Sequence, residues 1–278
     1  MTRNLSIVVL GGRGMLGTAV VYQLHRAGYD VQAVDRTHFD AAVDPIKRLD
    51  LQGVDYVINA LGLINRRMTT EPENFYLVNS LFPRVLADYC AAQAVRLIHI
   101  STDCVFDGLG GPYTEASETT ATDLYGRSKA LGEPANCLVI RTSIIGPEQQ
   151  HHYSLLTWFL AQTTTCRGYT NHLWNGMTTL QLSRVIDQVM QVDLYVPGVR
   201  HVFSDDVTKY ELLRLMQAAY QHPIDIEPGN DVRAKDSRLR TIHPEFSAPL
   251  TIPSLRDQLA ELPSLSDARG HWRETIVS

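Results

Sequence analysis

Through the first half of the chain, short continuously apolar runs alternate with longer amphipathic stretches, and glycines or charged turns punctuate the two. Residues 5–10, Leu-Ser-Ile-Val-Val-Leu, form the first run, the pattern of a parallel strand covered on both faces. A helical pattern follows from Thr18 to about Arg26 and ends at Gly28. Tyr29–Val34, Val54–Ala60, Arg96–Ile100 and Cys137–Arg141 read as further strands. Between them, Pro72 to about Ala92 carries Phe75, Val78, Phe82, Val85 and Leu86 near one face of a long helix. Asp123–Glu133 carries a second. This alternation predicts an α/β fold built on a Rossmann-type doubly wound parallel sheet.

Beyond Gly146-Pro147 the rhythm changes. Helices are predicted over His151–Ala161, with Leu155, Trp158 and Phe159 inward, and over Thr178–Gln191, Val207–Tyr220 and Pro253–Leu262. Tyr169–Gly176 reads as a polar loop with an embedded tryptophan, Trp174. The expected division is a sheet domain over 1–146, to which 170–195 returns, with 147–278 forming mainly a small C-terminal lobe.

Composition narrows the function classes. Hydrophobic residues make up 44% and charged residues 20%, and the net charge is −5 with 25 scattered basic residues. That is no footprint of a nucleic-acid binder. No apolar run approaches the roughly 18 residues that span a bilayer. The run at 5–10 leads into glycines, not a cleavage site, so a cytoplasmic protein without membrane association is expected. Cys90, Cys104, Cys137 and Cys166 lack metal-ligand spacing. Reduced thiols are expected, and no metal site.

Candidate chemistry sits at strand ends. Gly11-Gly12-Arg13-Gly14-Met15-Leu16-Gly17 lies between the first strand and its helix. Glycines there let the backbone approach a pyrophosphate at a helix N-terminus. At the end of the second strand, Asp35 would hydrogen-bond an adenosine ribose, favouring NADH, whereas its neighbour Arg36 would hold the 2′-phosphate of NADPH. The sequence argues both ways. Gly62 lies just beyond the third strand, and Ser101-Thr102-Asp103 ends the fourth. Tyr125 and Lys129, four residues apart, share one helix face. An ammonium beside a phenol favours the phenolate and lowers a pKa ordinarily near 10, which suits a proton donor to a substrate carbonyl.

The glycine run, the stretch Ser101-Thr102-Asp103-Cys104-Val105-Phe106-Asp107-Gly108 and the Tyr125…Lys129 helix occur in an order that resembles the extended short-chain dehydrogenase/reductase superfamily. More narrowly, the chain is similar to the dTDP-4-dehydrorhamnose reductase family, with further markers at Asp55–Ala60, Asn79, Gly111–Glu115, Arg141-Thr142-Ser143 and Arg233…Asp236-Ser237…Leu239. The resemblance implies NADPH or NADH as cofactor, held by Gly11, Gly14, Met15, Leu16, Gly17, Asp35, Arg36, Ala60, Gly62, Asn79, Tyr125 and Lys129. It implies reduction of a 4-keto-6-deoxy nucleotide sugar for surface polysaccharide synthesis. Thr102 would hold the C4 carbonyl, Tyr125 would donate the proton and Lys129 would bind the nicotinamide ribose. Thr102, Asp103, Cys104, Tyr125, Trp174 and Arg233 would face the substrate, with Trp174 or Tyr169 on the base and Arg233 on the pyrophosphate. A homodimer is compatible with this reading.

The chain departs from that family at Cys104, where Tyr is usual, at Ile144, where Trp is usual, and over Asn171–Thr179. These departures point to a different nucleotide-activated keto-sugar. Cys104 also stands where related dehydratases carry the Glu that removes a proton, which disfavours dehydration. An epimerase of the same superfamily and a non-catalytic dinucleotide-binding regulatory subunit remain as alternatives.

Overall fold

The computed structural model describes residues 5–64, 72–148 and 154–267. Strands β1 (Ser6–Leu10), β2 (Asp30–Val34), β3 (Tyr56–Asn59), β4 (Arg96–Thr102) and β5 (Leu138–Thr142) pair in parallel, and β10 (Gly198–His201) joins them at one edge. The order is β10-β5-β4-β3-β1-β2. The chain starts one strand in from an edge, runs out to β2 at that edge and crosses back over β1 to β3. The turn after β1 therefore lies at the switch point where doubly wound sheets bind ligands.

Both faces of the sheet are covered, which is why its inner strands read as unbroken apolar runs. Ile7 and Val9 point to a core shared with helix α1 (Met15–Arg26) and helix α6 (Thr179–Gln191), where Val20, Leu24, Leu182, Val185 and Ile186 are buried. Val8 and Leu10 point the other way, into a core with Phe82, Leu86 and Cys90 of helix α3 (Phe82–Ala92). The two inward sets alternate residue by residue, as the pleat requires.

The long pattern from Pro72 to Ala92 is helical but not uniform. It runs as α2 (Pro72–Tyr76), a π-helical turn over Leu77–Leu81, then α3. Pro83 has no N–H to return to the Asn79 carbonyl, so the ladder opens there. Val85, expected near the inner face, is 38% exposed.

The second half departs further from the sequence reading. Strand β10 was not anticipated, because Gly198-Val199-Arg200-His201 lies at a sheet edge and carries no apolar run. The return to the sheet therefore extends past residue 195 to His201. Tyr169–Gly176 is not a loop throughout: β7 (Thr165–Tyr169) ends in it, and β8 (His172–Trp174) pairs with β11 (Val207–Thr208) and β13 (Lys235–Asp236). Helix α5 covers Leu155–Leu160, capped by Ser154; residues 151–153 of the expected helix lie outside the described residues. Trp158 is 37% exposed, and Leu156 takes the inward position instead. Helix α7 (Lys209–Tyr220) begins after β11 with a capping box from Thr208 and Glu211. With α5, α7 and helix α9 (Leu255–Asp267), these strands close a second apolar cluster around Phe159, Leu212, Met216, Leu255 and Leu259. Among the described residues, no helix is long and apolar enough to cross a membrane.

A buried ion pair ties the sheet to helix α4 (Leu124–Leu131) just past the helix end. Arg141 of β5 holds Glu133 through Nε at 2.8 Å and Nη2 at 2.6 Å, and Ser101 Oγ donates to the same carboxylate at 2.5 Å. Removing one member of such a pair strands the other charge in a dry interior. Arg141→Met is expected to lose about 3–5 kcal/mol of stability, read as a lower midpoint in urea. A change below 1 kcal/mol would show that water reaches the pair.

Candidate active site

The turn after β1 is shaped by close approach. Gly11 takes a φ of 78°, which favours glycine, and a Cβ at Gly17 would collide with the Gly11 carbonyl oxygen. Helix α1 starts at Met15 with no side-chain cap and no acidic residue in its first turn. Its first N–H groups and positive dipole end are thus left for an anion. A cavity of about 300 Å³ opens beside it, lined by Gly11, Arg13, Gly14, Asp35, Arg36, Ala60 and Gly62 among others. This cradle fits a dinucleotide. Met15 is half-buried, while Leu16 and Gly17 are buried, with the Leu16 side chain in the sheet core, so these three shape the cradle rather than line it.

Asp35 is already engaged. Arg13 Nε lies 2.7 Å from its Oδ2, and Thr37 N, Thr37 Oγ1 and His38 Nδ1 lie 2.6–2.9 Å from its Oδ1. These hydrogen bonds and the Arg13 guanidinium outweigh desolvation and hold its carboxyl down at about 2. Arg36 is turned to Asp40 at 2.7 Å. Asn79 is fully buried and bridges the Leu63 backbone and Ser128 Oγ, so it fixes the wall of the cavity rather than opening onto it.

Helix α4 brings the candidate groups together. Asp123 caps it by accepting from Gly126 N at 3.1 Å. A Cβ at Gly126 would collide with the Cys104 carbonyl oxygen, so the helix presses on the turn that follows β4. Thr102, at the end of β4, shares a hydrogen bond with the Tyr125 phenol. Its Oγ1 also accepts from Cys104 N at 3.1 Å and lies 3.2 Å from Asp103 Oδ1. One turn along, the buried Lys129 ammonium donates to the Ile100 carbonyl at 2.8 Å.

The electrostatics reverse one expectation. Burial pushes the Tyr125 phenol above its ordinary value, with Cys104 and Asp103 adding to the rise and the Thr102 hydrogen bond opposing it. Lys129 does not lower it: its ammonium is aimed at Ile100, and burial drops its own pKa to about 8 against the pull of Glu133. Burial also raises Asp103, offset in part by Lys209, Ser143 and Thr102. Cys104 opens to solvent at the mouth of the site, yet the surrounding protein and Asp103 push its thiol up to about 12.

The remaining predicted residues do not all converge. Trp174 is 4% exposed, and Lys209 Nζ stands 4.6 Å from its ring centroid, so the ring has no open face for a base. Tyr169 lies against His172, with ring centroids 4.7 Å apart. Arg233 is exposed, and among the described residues its carbonyl is what is engaged, 3.2 Å from His172 Nε2. Conversely, Arg13, Lys209 and His99 carry no signal in the sequence, and Ser143, there only a marker, hydrogen-bonds Asp103. His99 is fully buried and accepts from Asn59 Nδ2 at 3.0 Å. Burial and the nearby Lys129 keep it neutral. Among the described residues, no group of three or more side chains could hold a metal ion.

The family described as RmlD substrate binding domain matches residues 5–241. The dTDP-4-dehydrorhamnose reductase of Mycobacterium tuberculosis is 35% identical over 139 residues, which are 48% of this chain and 46% of that protein. The chain thus spans about half the length of the curated reductases it matches. Methionine adenosyltransferase 2 subunit beta of Rattus norvegicus is 23% identical over 97% of this chain and 90% of its own. A solved dTDP-4-dehydrorhamnose reductase from Bacillus anthracis in complex with NADP superposes with a TM-score of 0.80, covering 95% of this chain and 100% of that one at 18% identity.

The buried lysine makes a testable signature. Unfolded, Lys129 titrates near 10.5; folded, near 8. Between those values the unfolded chain binds the proton that the folded chain has lost, so stability rises with pH across that window. Urea melts of wild type against Lys129→Met are expected to show wild type gaining steadily from pH 8 to 10.5, with a constant difference below pH 8. Parallel curves throughout would place the ammonium in water.

Proposed function

The chain belongs to the RmlD substrate binding domain family, and on that premise we propose that it is an NAD(P)H-dependent reductase of a nucleotide-activated keto-sugar. The observation that carries this reading is the hydrogen bond between Thr102 and Tyr125 at the carboxyl end of β4, in the same sheet as the glycine cradle. A 4-keto-6-deoxy sugar nucleotide is the substrate the family points to, with the product serving deoxysugar and surface polysaccharide synthesis.

Thr102 and Tyr125 hold the ketone oxygen between two hydroxyls. When bound, a dihydronicotinamide supplies the hydride. As negative charge grows on the ketone oxygen, the Tyr125 proton moves onto it, and the Thr102 hydroxyl stabilises what remains. The raised phenol keeps that proton in place at neutral pH until the oxygen demands it. Lys129, buried one turn away, offers the remaining ammonium hydrogens toward a ribose while Ile100 anchors one. The Gly11–Gly17 turn and the α1 N-terminus hold the pyrophosphate.

Likeness to the rat subunit over nearly the whole chain favours a second reading, a dinucleotide-binding regulatory subunit. The two separate when protein and NADPH are mixed with a panel of 4-keto nucleotide sugars. Loss of nicotinamide absorbance in step with product is expected of a reductase. Turnover without cofactor loss indicates an epimerase, and binding without turnover of any sugar indicates a regulator.

Tyr125→Phe is expected to lower kcat by about 10²–10⁴-fold while leaving NADPH affinity unchanged in calorimetry, since the interaction lost belongs to the transition state. Near-normal turnover would remove Tyr125 as the proton donor. The cofactor side has its own outcome. Arg13 both occupies Asp35 and brings a positive charge to the cradle, an arrangement that favours a 2′-phosphate over a 2′-hydroxyl. Arg13→Ala is expected to shift the NADPH-to-NADH affinity ratio toward NADH by about tenfold, read by fluorescence titration; an unchanged ratio would leave Arg13 with no part in the choice.

A further inference from the structure

Lys209 opens α7, half-buried, with its Nζ over the Trp174 ring at 4.6 Å. Among the described residues, its ammonium has no hydrogen-bond acceptor and no carboxylate within 4.0 Å. Beyond the ring, little nearby compensates the charge. A cation in the first turn faces the positive end of its own helix dipole. The one carboxylate of that turn, Glu211, is spent on Thr208 N at 2.7 Å and Thr208 Oγ1 at 3.0 Å. Burial lowers the lysine's pKa, and Asp103 and Cys104 recover only part of that cost. Asp103 itself is occupied by Thr102, Ser143 and Cys104. A half-buried ammonium with a ring beneath it and no acceptor or close carboxylate of its own keeps its hydrogens free for a ligand.

The surroundings say which ligand it would meet. Asp103 and Cys104, whose charge environment includes Lys209, follow directly on Thr102, and Ser143 hydrogen-bonds Asp103. Trp174 is fixed behind the lysine: a Cβ at Gly176 would collide with both the Trp174 ring and the Ser143 carbonyl oxygen. The ammonium is thus carried from the lobe to the same strand end that presents the carbonyl clamp. We propose that Lys209 is the substrate-anchoring cation of this site, taking an oxyanion of the bound nucleotide sugar, which presupposes the nucleotide-sugar reading above. Two sources offer that chemistry: the diphosphate, or a carboxylate on the sugar ring.

Lys209→Met keeps the chain length and the apolar cover on Trp174 and removes the charge, whereas Lys209→Arg keeps it. Both are compared with wild type by calorimetric titration of the NADP⁺-loaded protein with dTDP, UDP, UDP-glucose and UDP-glucuronate, together with thermal melts and NADP⁺ titration. Lys209→Met is expected to bind NADP⁺ normally and to melt higher by about 2–4 °C, since the desolvation cost of a half-buried charge at the positive end of a helix has gone. It is also expected to lose about tenfold or more in oxyanion affinity, which Lys209→Arg retains. A loss shared by all four probes assigns the diphosphate. A loss confined to UDP-glucuronate, erasing its advantage over UDP-glucose, assigns a carboxylate. Unchanged affinity for every probe in Lys209→Met overturns the inference alone, as does a variant that melts lower and loses NADP⁺ affinity in step, which marks a structural lysine. Wild type that binds NADP⁺ but none of the four probes overturns the inference and the nucleotide-sugar reading together.

Discussion

Helix α4 lies so close to the turn after β4 that Gly126 has no room for a methyl group against the Cys104 carbonyl. Two further ties fix the seat: Lys129 reaches down to Ile100 in the strand, and Glu133, just past the helix, grips Arg141 and Ser101. Each tie crosses from the helix region to the sheet at a different height, so the helix can neither slide nor roll. A slip of one turn, about 5.4 Å, would carry the Tyr125 phenol away from Thr102. The site is therefore a consequence of how one short helix is clamped, and the clamp is polar, buried and costly to break.

Those costs are carried by the apolar layers on either side. The sheet is filled above and below by unbroken sets of Val, Ile and Leu, and such burial contributes about 25 cal/mol per Å² removed from water. That surplus lets the fold hold Lys129, Asp103 and the Glu133–Arg141 pair within one region. A loosely packed sheet of the same topology would relax by hydrating these groups, and hydration would return Tyr125 and Lys129 toward their ordinary pKa values.

The same packing explains what the chain discloses in sequence. Strands β1, β3, β4 and β5 are legible because burial on both faces forces continuous apolar runs. Strand β10 sits at an edge and β8 in a small lobe sheet, where no such demand exists, so Gly198–His201 and His172–Trp174 look like loop. Thr102, Tyr125 and Lys129 are legible from spacing and from their place at strand ends. The direction of the Tyr125 shift is not, because spacing reports which charges are neighbours but not how dry they are or where an ammonium points. Asp35 and Arg36 are adjacent in sequence, yet the guanidinium that meets Asp35 belongs to Arg13, across the turn at the sheet's switch point. Lys209 is silent in sequence for a related reason: it opens an ordinary amphipathic helix, and only the fold brings it to Asp103.

Two lysines, Lys129 buried and Lys209 half-buried, stand near the Thr102–Tyr125 pair, and they are held differently. Lys129 has an acceptor in Ile100 and a compensating charge in Glu133; its burial is part of the scaffold. Lys209 has a ring beneath it and acceptors nowhere among the described residues. Meanwhile burial raises both Tyr125 and Asp103 toward their protonated forms. The region thus holds the Tyr125 proton and two ammonium charges, with Asp103 as their neighbour, ahead of any substrate, in a setting where each counts for more than in water. On the proposed reading, such a field would stabilise a ketone oxygen as it becomes an alkoxide. The energetic penalty of that arrangement is met at folding.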